Sequence, residues 1–290
     1  MTARDHSLNA HESPESPGPE SVDHELRTVL PERHGVELLG AVALDLLNTA
    51  RELYSVFVRT LYYCVNGRTE QGAIWAQMYA IGNRSIFFIT VAMGFIGMIL
   101  VRQGGLQLER ILPEYSLVGA TFLELLVRDF AASIGSLLLA TRVGAGIAAE
   151  IGSMVVTEQI DALRMCAADP IDYLVKPRFI ASIIMTTCLV IWSTFVAFTA
   201  GMLTAYVSFD IAPRTFMNLS LVDAGDLVVG LSKCLAYGAA IPIVASHSGL
   251  MTFGGSEGVG WATTRAVINA SLAVIILNVT LSTLGFLIFK

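Results

Sequence analysis

The chain has 290 residues, of which 54% are hydrophobic and only 14% charged, and its mean hydropathy is +0.65. Soluble domains run at about 45–50% apolar and 25% charged, and here the apolar residues fall in long blocks rather than in period-2 or period-3.6 alternation, which excludes an ordinary soluble fold. The net charge of −6 is uneven: residues 1–35 hold three basic and seven acidic residues (−4), leaving −2 for the other 255, and nothing in this balance points to nucleic acid.

Residues 1–35 contain four of the nine prolines and four of the five histidines. A stretch such as Ser13-Pro14-Glu15-Ser16-Pro17-Gly18-Pro19 buries too little apolar area to order itself and reads as a disordered polar tail. His6, His11, His24 and His34 lack regular ligand spacing, which argues against a metal site. No basic segment followed by an apolar one marks a cleaved signal peptide. Cys64, Cys166, Cys188 and Cys234 form no CxxC pair, so neither a disulfide framework nor a zinc site is indicated.

Val36 to Cys64 reads as a helix. Asp45, Asn48, Glu52, Ser55 and Arg59 recur at i+3/i+4 steps and make one narrow polar stripe on an apolar cylinder, the pattern of a helix lying in the membrane surface. Four charge-free blocks follow: Ser85–Val101, Phe179–Phe209, Cys234–Ser256 and Ala266–Phe289. About 20 apolar residues cross the hydrocarbon core, and a fifth span lies within Leu117–Thr141, interrupted by Glu124, Arg128 and Asp129. The expected architecture is an all-α polytopic membrane protein: a tail over 1–35, then a membrane domain over 36–290 with an interfacial helix at 36–64 and a bundle of about five spans at 85–290.

Five spans place the two ends on opposite sides. Arg51, Arg59, Arg68, Arg84, Arg142, Arg164, Lys176, Arg178 and Arg265 fall on one side, against Arg102, Arg110, Arg214 and Lys290 on the other. The excess of basic residues predicts a cytoplasmic N-terminus and a C-terminus across the membrane.

The connection between the second and third spans is polar and patterned. Gly144, Ala148 and Gly152 stand four apart, the spacing that lets helices approach closely. Val156, Ile160, Leu163 and Ala167 line one face of a short helix, Asp169 is suited to N-capping, Pro170 to the first helical position, and Pro177 to ending a second short helix. Such an element either connects two spans or presents a docking surface.

Two motifs carry a resemblance. Gly144-Ala-Gly-Ile-Ala-Ala-Glu-Ile-Gly with Thr157-Glu-Gln-Ile-Asp-Ala-Leu and Asp169-Pro-Ile, and later Gly254-Gly-Ser-Glu-Gly-Val-Gly-Trp-Ala-Thr-Thr-Arg-Ala-Val-Ile, resemble the signature of the MlaE/YrbE-type permeases of bacterial ABC transporters. The resemblance extends from about Val36 to Lys290. It implies a homodimer in the bacterial inner membrane that moves phospholipid or a related lipid to or from a periplasmic MCE carrier. It also implies a coupling helix, here Glu158, Gln159, Ile160, Asp161 and Leu163, that receives the stroke of a cytoplasmic ATPase. Ile160 and Leu163 would enter a groove of that partner, and Glu158 and Asp161 would offer it charged contacts. ATP and Mg²⁺ are expected only in that subunit, because Gly225-Asp-Leu-Val-Val-Gly-Leu-Ser lacks the lysine of a phosphate-binding loop.

Ionisable residues within spans are costly and mark functional candidates. Glu124 and Arg128 have the i,i+4 spacing of an intrahelical pair, which leaves Asp129 without a local partner. The family usually has Arg-Glu-Leu-Gly-Pro here; Arg128-Asp129-Phe-Ala-Ala lacks the Gly-Pro kink, which puts a helix break in doubt. Asp129 and Lys233 are the candidate lipid-headgroup residues, with snorkelling to the outer headgroups an alternative and compatible role for Lys233. Asn278 stands where some members carry an acid. His247 reads as a core histidine bonded to neighbouring backbone, with a proton relay as the alternative. Phe87, Phe88, Met93, Phe95 and Met98 are candidates for lining an acyl-chain cavity. Two other functions remain open from the residues: an ion-coupled secondary transporter, for which neither inverted repeats nor extra buried acids are found, and a membrane scaffold without transport.

Overall fold

The computed structural model describes residues 35–66, 71–111, 116–218 and 220–288. The polar tail expected over 1–35 lies outside these residues except for its last position, as do Arg68 and Lys290. Among the described residues every regular element is helical. The chain divides into two units, residues 1–51 and 52–290.

Helix α1 spans Gly35–Asn66, where the sequence predicts a helix. Its part within the second unit has distinct faces. Leu53, Val56, Thr60 and Cys64 recur at helical spacing and face the bundle, while Tyr54, Val58, Leu61, Tyr62 and Val65 stand exposed. The Phe57 ring meets Phe179 edge-on with centroids 6.2 Å apart.

Among the described residues, four helices are long and apolar enough to cross a bilayer: Gly72–Gln107, Ile171–Phe209, Ala224–Leu250 and Gly255–Ile288. They fall in α2 (Gln71–Ile111), α7 (Lys176–Phe209 with the turn before it), α9 (Ala224–Leu250) and α10 (Gly255–Ile288). The fifth expected span is helical from Ser116 to Val156 but is divided. Two π turns, Leu126–Phe130 and Ala140–Gly144, separate α3 (Ser116–Leu125), α4 (Ala131–Leu139) and α5 (Ala145–Val156). Its traverse follows from its neighbours. Gly82 lies beside Met185, Gly97 beside Ala197 and Gly105 beside Phe209, so α2 and α7 run parallel. Two consecutive parallel spans require the chain to return between them, and the divided rod is that return.

Small residues set the spacing. A Cβ on Gly97 would lie 2.3 Å from the carbonyl oxygen of Ala197, so only glycine lets the two backbones meet. The Gly144/Ala148/Gly152 stripe behaves as its spacing predicts: Ala148 is fully buried, Gly144 faces Ala270 and Gly152 faces Thr252. The turn from α9 into α10 uses Gly254 and Gly255 at φ 83° and 77°, a region that side chains disfavour.

After Val156 the rod ends at Glu158, which adopts φ 59°, and the short α6 (Gln159–Met165) follows. Val156 therefore belongs to the preceding helix, not to the face of α6. Asp169 accepts the Ile171 backbone N–H at 2.9 Å and so caps the next helix, with Pro170 at its first position. Pro177 does not end a helix. The π turn Ile171–Val175 runs directly into α7, and the chain stays helical past the proline. A short α8 (Pro213–Phe216) sits between α7 and α9.

Candidate functional site: a half-open ionic cluster and a surface helix

The π turn Leu126–Phe130 carries both charges of Arg128-Asp129. Such a turn inserts one residue into the helical repeat, so Arg128 is rotated away from Glu124 and the expected intrahelical pair does not form. Arg128 Nη1 instead reaches Asp226 Oδ1 on α9 at 3.2 Å. Asp226 is the N3 residue of a capping box, and its Oδ2 accepts the Asp223 backbone N–H at 3.1 Å. Both of its oxygens are thereby committed. Where the Gly-Pro is missing the rod stays helical, and a π turn alters its register without breaking it.

Asp129 does have partners. Its Oδ1 accepts Ser133 Oγ–H at 3.1 Å and Lys233 Nζ–H at 2.5 Å. Lys233 is 1% exposed and donates also to Ser282 Oγ at 2.7 Å and to the Arg128 carbonyl at 3.4 Å. Three partners match the three hydrogens of an ammonium, and this burial rules out snorkelling to the headgroups. Tyr237 donates to Asn278 Oδ1 at 3.0 Å, and Ser282 Oγ lies 3.4 Å from the same oxygen. Asn278 thus joins the network through hydroxyls rather than through an ion pair. Removing one partner of a buried pair costs about 3–5 kcal/mol because it strands the other charge.

Two sides of this cluster remain open: the Asp129 side chain is 38% exposed and that of Arg128 34%. An apolar groove of about 400 Å³ opens on the same helices, lined by Leu123, Val127, Phe195, Phe198, Leu231 and Cys234 among others; it takes in the chain neighbours of Arg128, Asp226 and Lys233 but none of the charged side chains. Charge that faces outward next to an apolar trough is the arrangement that suits an amphiphile. Sequence reasoning named Asp129 and Lys233, which the structure brings together. It missed Arg128, Asp226 and Ser282 as members; the acid-first Glu124/Arg128 spacing concealed the first, and the Asp223-x-x-Asp226 capping pattern could have flagged the second.

The other candidates disperse. Phe87, Phe88 and Phe95 point out of the bundle, Phe87 at 79% exposure, whereas Met93 is fully buried in the core and Met98 is half-buried. These five do not share a cavity within one copy of the chain. His247 is bonded not to neighbouring backbone but to a carboxylate: its Nε2 lies 3.0 Å from Glu52 Oε2 of α1.

At the end of the bundle opposite the cluster, Arg178 Nη2 pairs with Glu150 at 2.9 Å and Lys176 with Asp172 at 2.6 Å, both cations buried. Tyr63 of α1 donates to Asp169 Oδ2 at 2.7 Å. That carboxylate acceptor holds the Tyr63 phenol above its ordinary pKa. Here α6 stands on the surface. Ile160 is only 4% exposed and Leu163 is half-buried against the same core, so both anchor α6 to its own chain instead of offering themselves to a partner. Glu158, Gln159 and Asp161 face outward together with Met165, which is 84% exposed. The Asp161–Arg164 pair at 3.3 Å lies on that open side.

Residues 74–284 match the family described as Permease MlaE. A probable ABC transporter permease protein of Synechocystis sp. is 36% identical over 229 residues, covering 77% of this chain and 86% of the relative. One from Rickettsia typhi is 33% identical over 264 residues, covering 88% and 95%. The protein named TRIGALACTOSYLDIACYLGLYCEROL 1, chloroplastic, of Arabidopsis thaliana is 33% identical over 217 residues, covering 72% and 60%. With a half-open ionic cluster at one end, an anchored surface helix at the other and this similarity along most of its length, the chain belongs to the MlaE permease family, several of whose members are named as ABC transporter permease proteins.

Proposed function

We propose that this chain is the membrane subunit of an ATP-driven lipid transporter. Two copies form the permease, a separate cytoplasmic ABC ATPase supplies ATP and Mg²⁺ chemistry, and phospholipid or a related lipid passes between the inner membrane and a periplasmic MCE carrier. The N-terminus and α6 face the cytoplasm, and the C-terminus faces the periplasm. The observation that carries this reading is the half-open Arg128/Asp129/Lys233 cluster bordering an apolar groove. Arg128 offers a guanidinium to a headgroup phosphate, Asp129 contacts cationic or hydroxyl groups, and Lys233 holds Asp129 in place. One relative carries the name of a diacylglycerol lipid, which agrees with such a cargo. Outward apolar side chains on α2 and α10, among them Phe87, Phe95, Leu272, Ile276 and Val279, give a second copy or lipid a surface to cover.

Coupling runs through α6. Its core-facing Ile160 and Leu163 make it rigid with the bundle, and its outward Glu158, Gln159, Asp161 and Met165 receive the ATPase. Reconstitution with the neighbouring ATPase in vesicles holding a fluorescent phospholipid tests the reading. Lipid movement that requires ATP and persists without an ion gradient is the expected result. Movement that follows an ion gradient and ignores ATP would establish the ion-coupled alternative, and no movement under either condition would favour a scaffold.

A further inference from the structure

A second charged site lies about fourteen residues along the divided rod from Arg128, roughly 21 Å at 1.5 Å per residue. A cleft of about 390 Å³ opens between α2 and the second π turn with α5, lined by Gln77, Ile81, Arg84, Arg142, Ile147 and Glu150 among others. Arg84 is exposed and Arg142 half-exposed. Arg142 Nη1 lies 3.3 Å from the Oγ of the fully buried Ser85. Neither arginine has a carboxylate within 4.0 Å among the described residues, and the one acid in the cleft, Glu150, is engaged by Arg178.

The position of these cations beside apolar blocks makes their lack of a carboxylate partner informative. Arg84 borders the charge-free stretch Ser85–Val101. Parallel packing sets neighbouring Gly82 against Met185, six residues into the charge-free stretch of α7 that begins at Phe179. Both arginines therefore stand at the edge of the apolar blocks, where a cation without a carboxylate partner is costly and favours an anion beside it. Arg142 is held there by a π turn, the second in the same rod, and the first bears Arg128 and Asp129. The cleft is mixed in character: Ile81, Val143 and Ile147 give it apolar wall beside the two arginines, and Gln77 and Glu150 add polar groups.

We infer that the cleft headed by Arg84 and Arg142 binds the phosphate of an anionic glycerophospholipid from the leaflet on the α6 side of the bundle. The two guanidinium forks take the phosphate oxygens, and the glycerol and first methylenes lie along Ile81 and Ile147. The inference stands apart from the transported cargo, since it concerns a lipid held at the opposite end from the Arg128 cluster.

Native mass spectrometry of the purified full-length chain, titrated with phosphatidylglycerol, tests it. The wild type is expected to keep at least one lipid per chain that Arg84→Gln/Arg142→Gln binds about tenfold more weakly, while Arg84→Lys/Arg142→Lys recovers part of the affinity. Ala149→Trp, which fills the cleft and leaves both arginines in place, should lose the lipid as well, so the result does not depend on one variant folding. Asp129→Asn should leave this lipid bound, which separates failure here from failure of the transport reading. Equal binding by the wild type, Arg84→Gln/Arg142→Gln and Ala149→Trp would overturn the inference. So would displacement of the lipid by millimolar inorganic phosphate, which would make the cleft a site for a free anion.

Discussion

Arg128 reaches Asp226, 98 positions further along the chain, rather than Glu124 one turn behind it on the same helix. The π turn at Leu126–Phe130 is the cause: one added residue rotates the guanidinium from its own helix face toward α9. The same rotation brings Asp129 to Lys233. Deleting Val127 should restore an unbroken α-helical register and dissolve both pairs. Loss of transport with an intact helical circular dichroism spectrum is the expected outcome.

Lys233 and Asp129 should behave as a coupled pair in stability. Lys233→Met alone strands Asp129 and is expected to destabilise by about 3 kcal/mol, the lower end for buried pairs because Asp129 keeps some solvent contact. Lys233→Met/Asp129→Asn should recover most of that loss. Thermal unfolding in detergent measures it, and additive losses would contradict the pairing.

On α6 the outward and inward residues should separate. Ile160→Ala removes a core side chain and is expected to cost about 2–5 kcal/mol of stability. Met165→Asp, on the open side, should change stability by less than about 0.5 kcal/mol yet abolish co-purification with the ATPase. Retained ATPase association in Met165→Asp would place the docking surface elsewhere.

At the join between α2 and α7, Gly97→Ala forces a methyl group against the Ala197 carbonyl. A loss of about 1–3 kcal/mol is expected from overpacking, read as a lower unfolding temperature. Gly72→Ala, which meets nothing within 4 Å, is the matched control and should have almost no effect.

Tyr63→Phe should loosen α1 from Asp169. Because the carboxylate raises the Tyr63 pKa, the phenol is a donor below its unfolded value of about 10 and ionises only at higher pH. The stability difference between wild type and Tyr63→Phe should therefore stay constant from pH 6 to 9 and diminish only as pH rises through the elevated value. Hydrogen exchange across residues 52–66 reports the loosening.

What the sequence disclosed and what it hid have physical causes. Long charge-free blocks such as Phe179–Phe209 need no partner to be recognised, and the Gly144/Ala148/Gly152 stripe encodes its own packing distance. Residue spacing assumes a uniform 3.6-residue repeat, however, and each π turn breaks that assumption. This is why Glu124/Arg128 looked like a pair, why Asp129 looked isolated, and why Pro177 looked like a helix end. Ile160 and Leu163 were legible as an apolar face, but periodicity does not say whether such a face meets its own bundle or another subunit. The Glu52–His247 and Arg128–Asp226 bonds join residues 195 and 98 positions apart, beyond the reach of any local pattern.

Lipid contact at the Arg128/Asp129/Lys233 cluster is the centre of the account, and site-specific photocrosslinking reads it directly. A photoreactive amino acid at Thr194, which lines the adjoining groove, should yield a phospholipid adduct by mass spectrometry in the full-length protein in membranes, and that adduct should fall at least tenfold in Arg128→Gln/Asp129→Asn. An adduct of undiminished yield in the double variant, or none in the wild type, would contradict it.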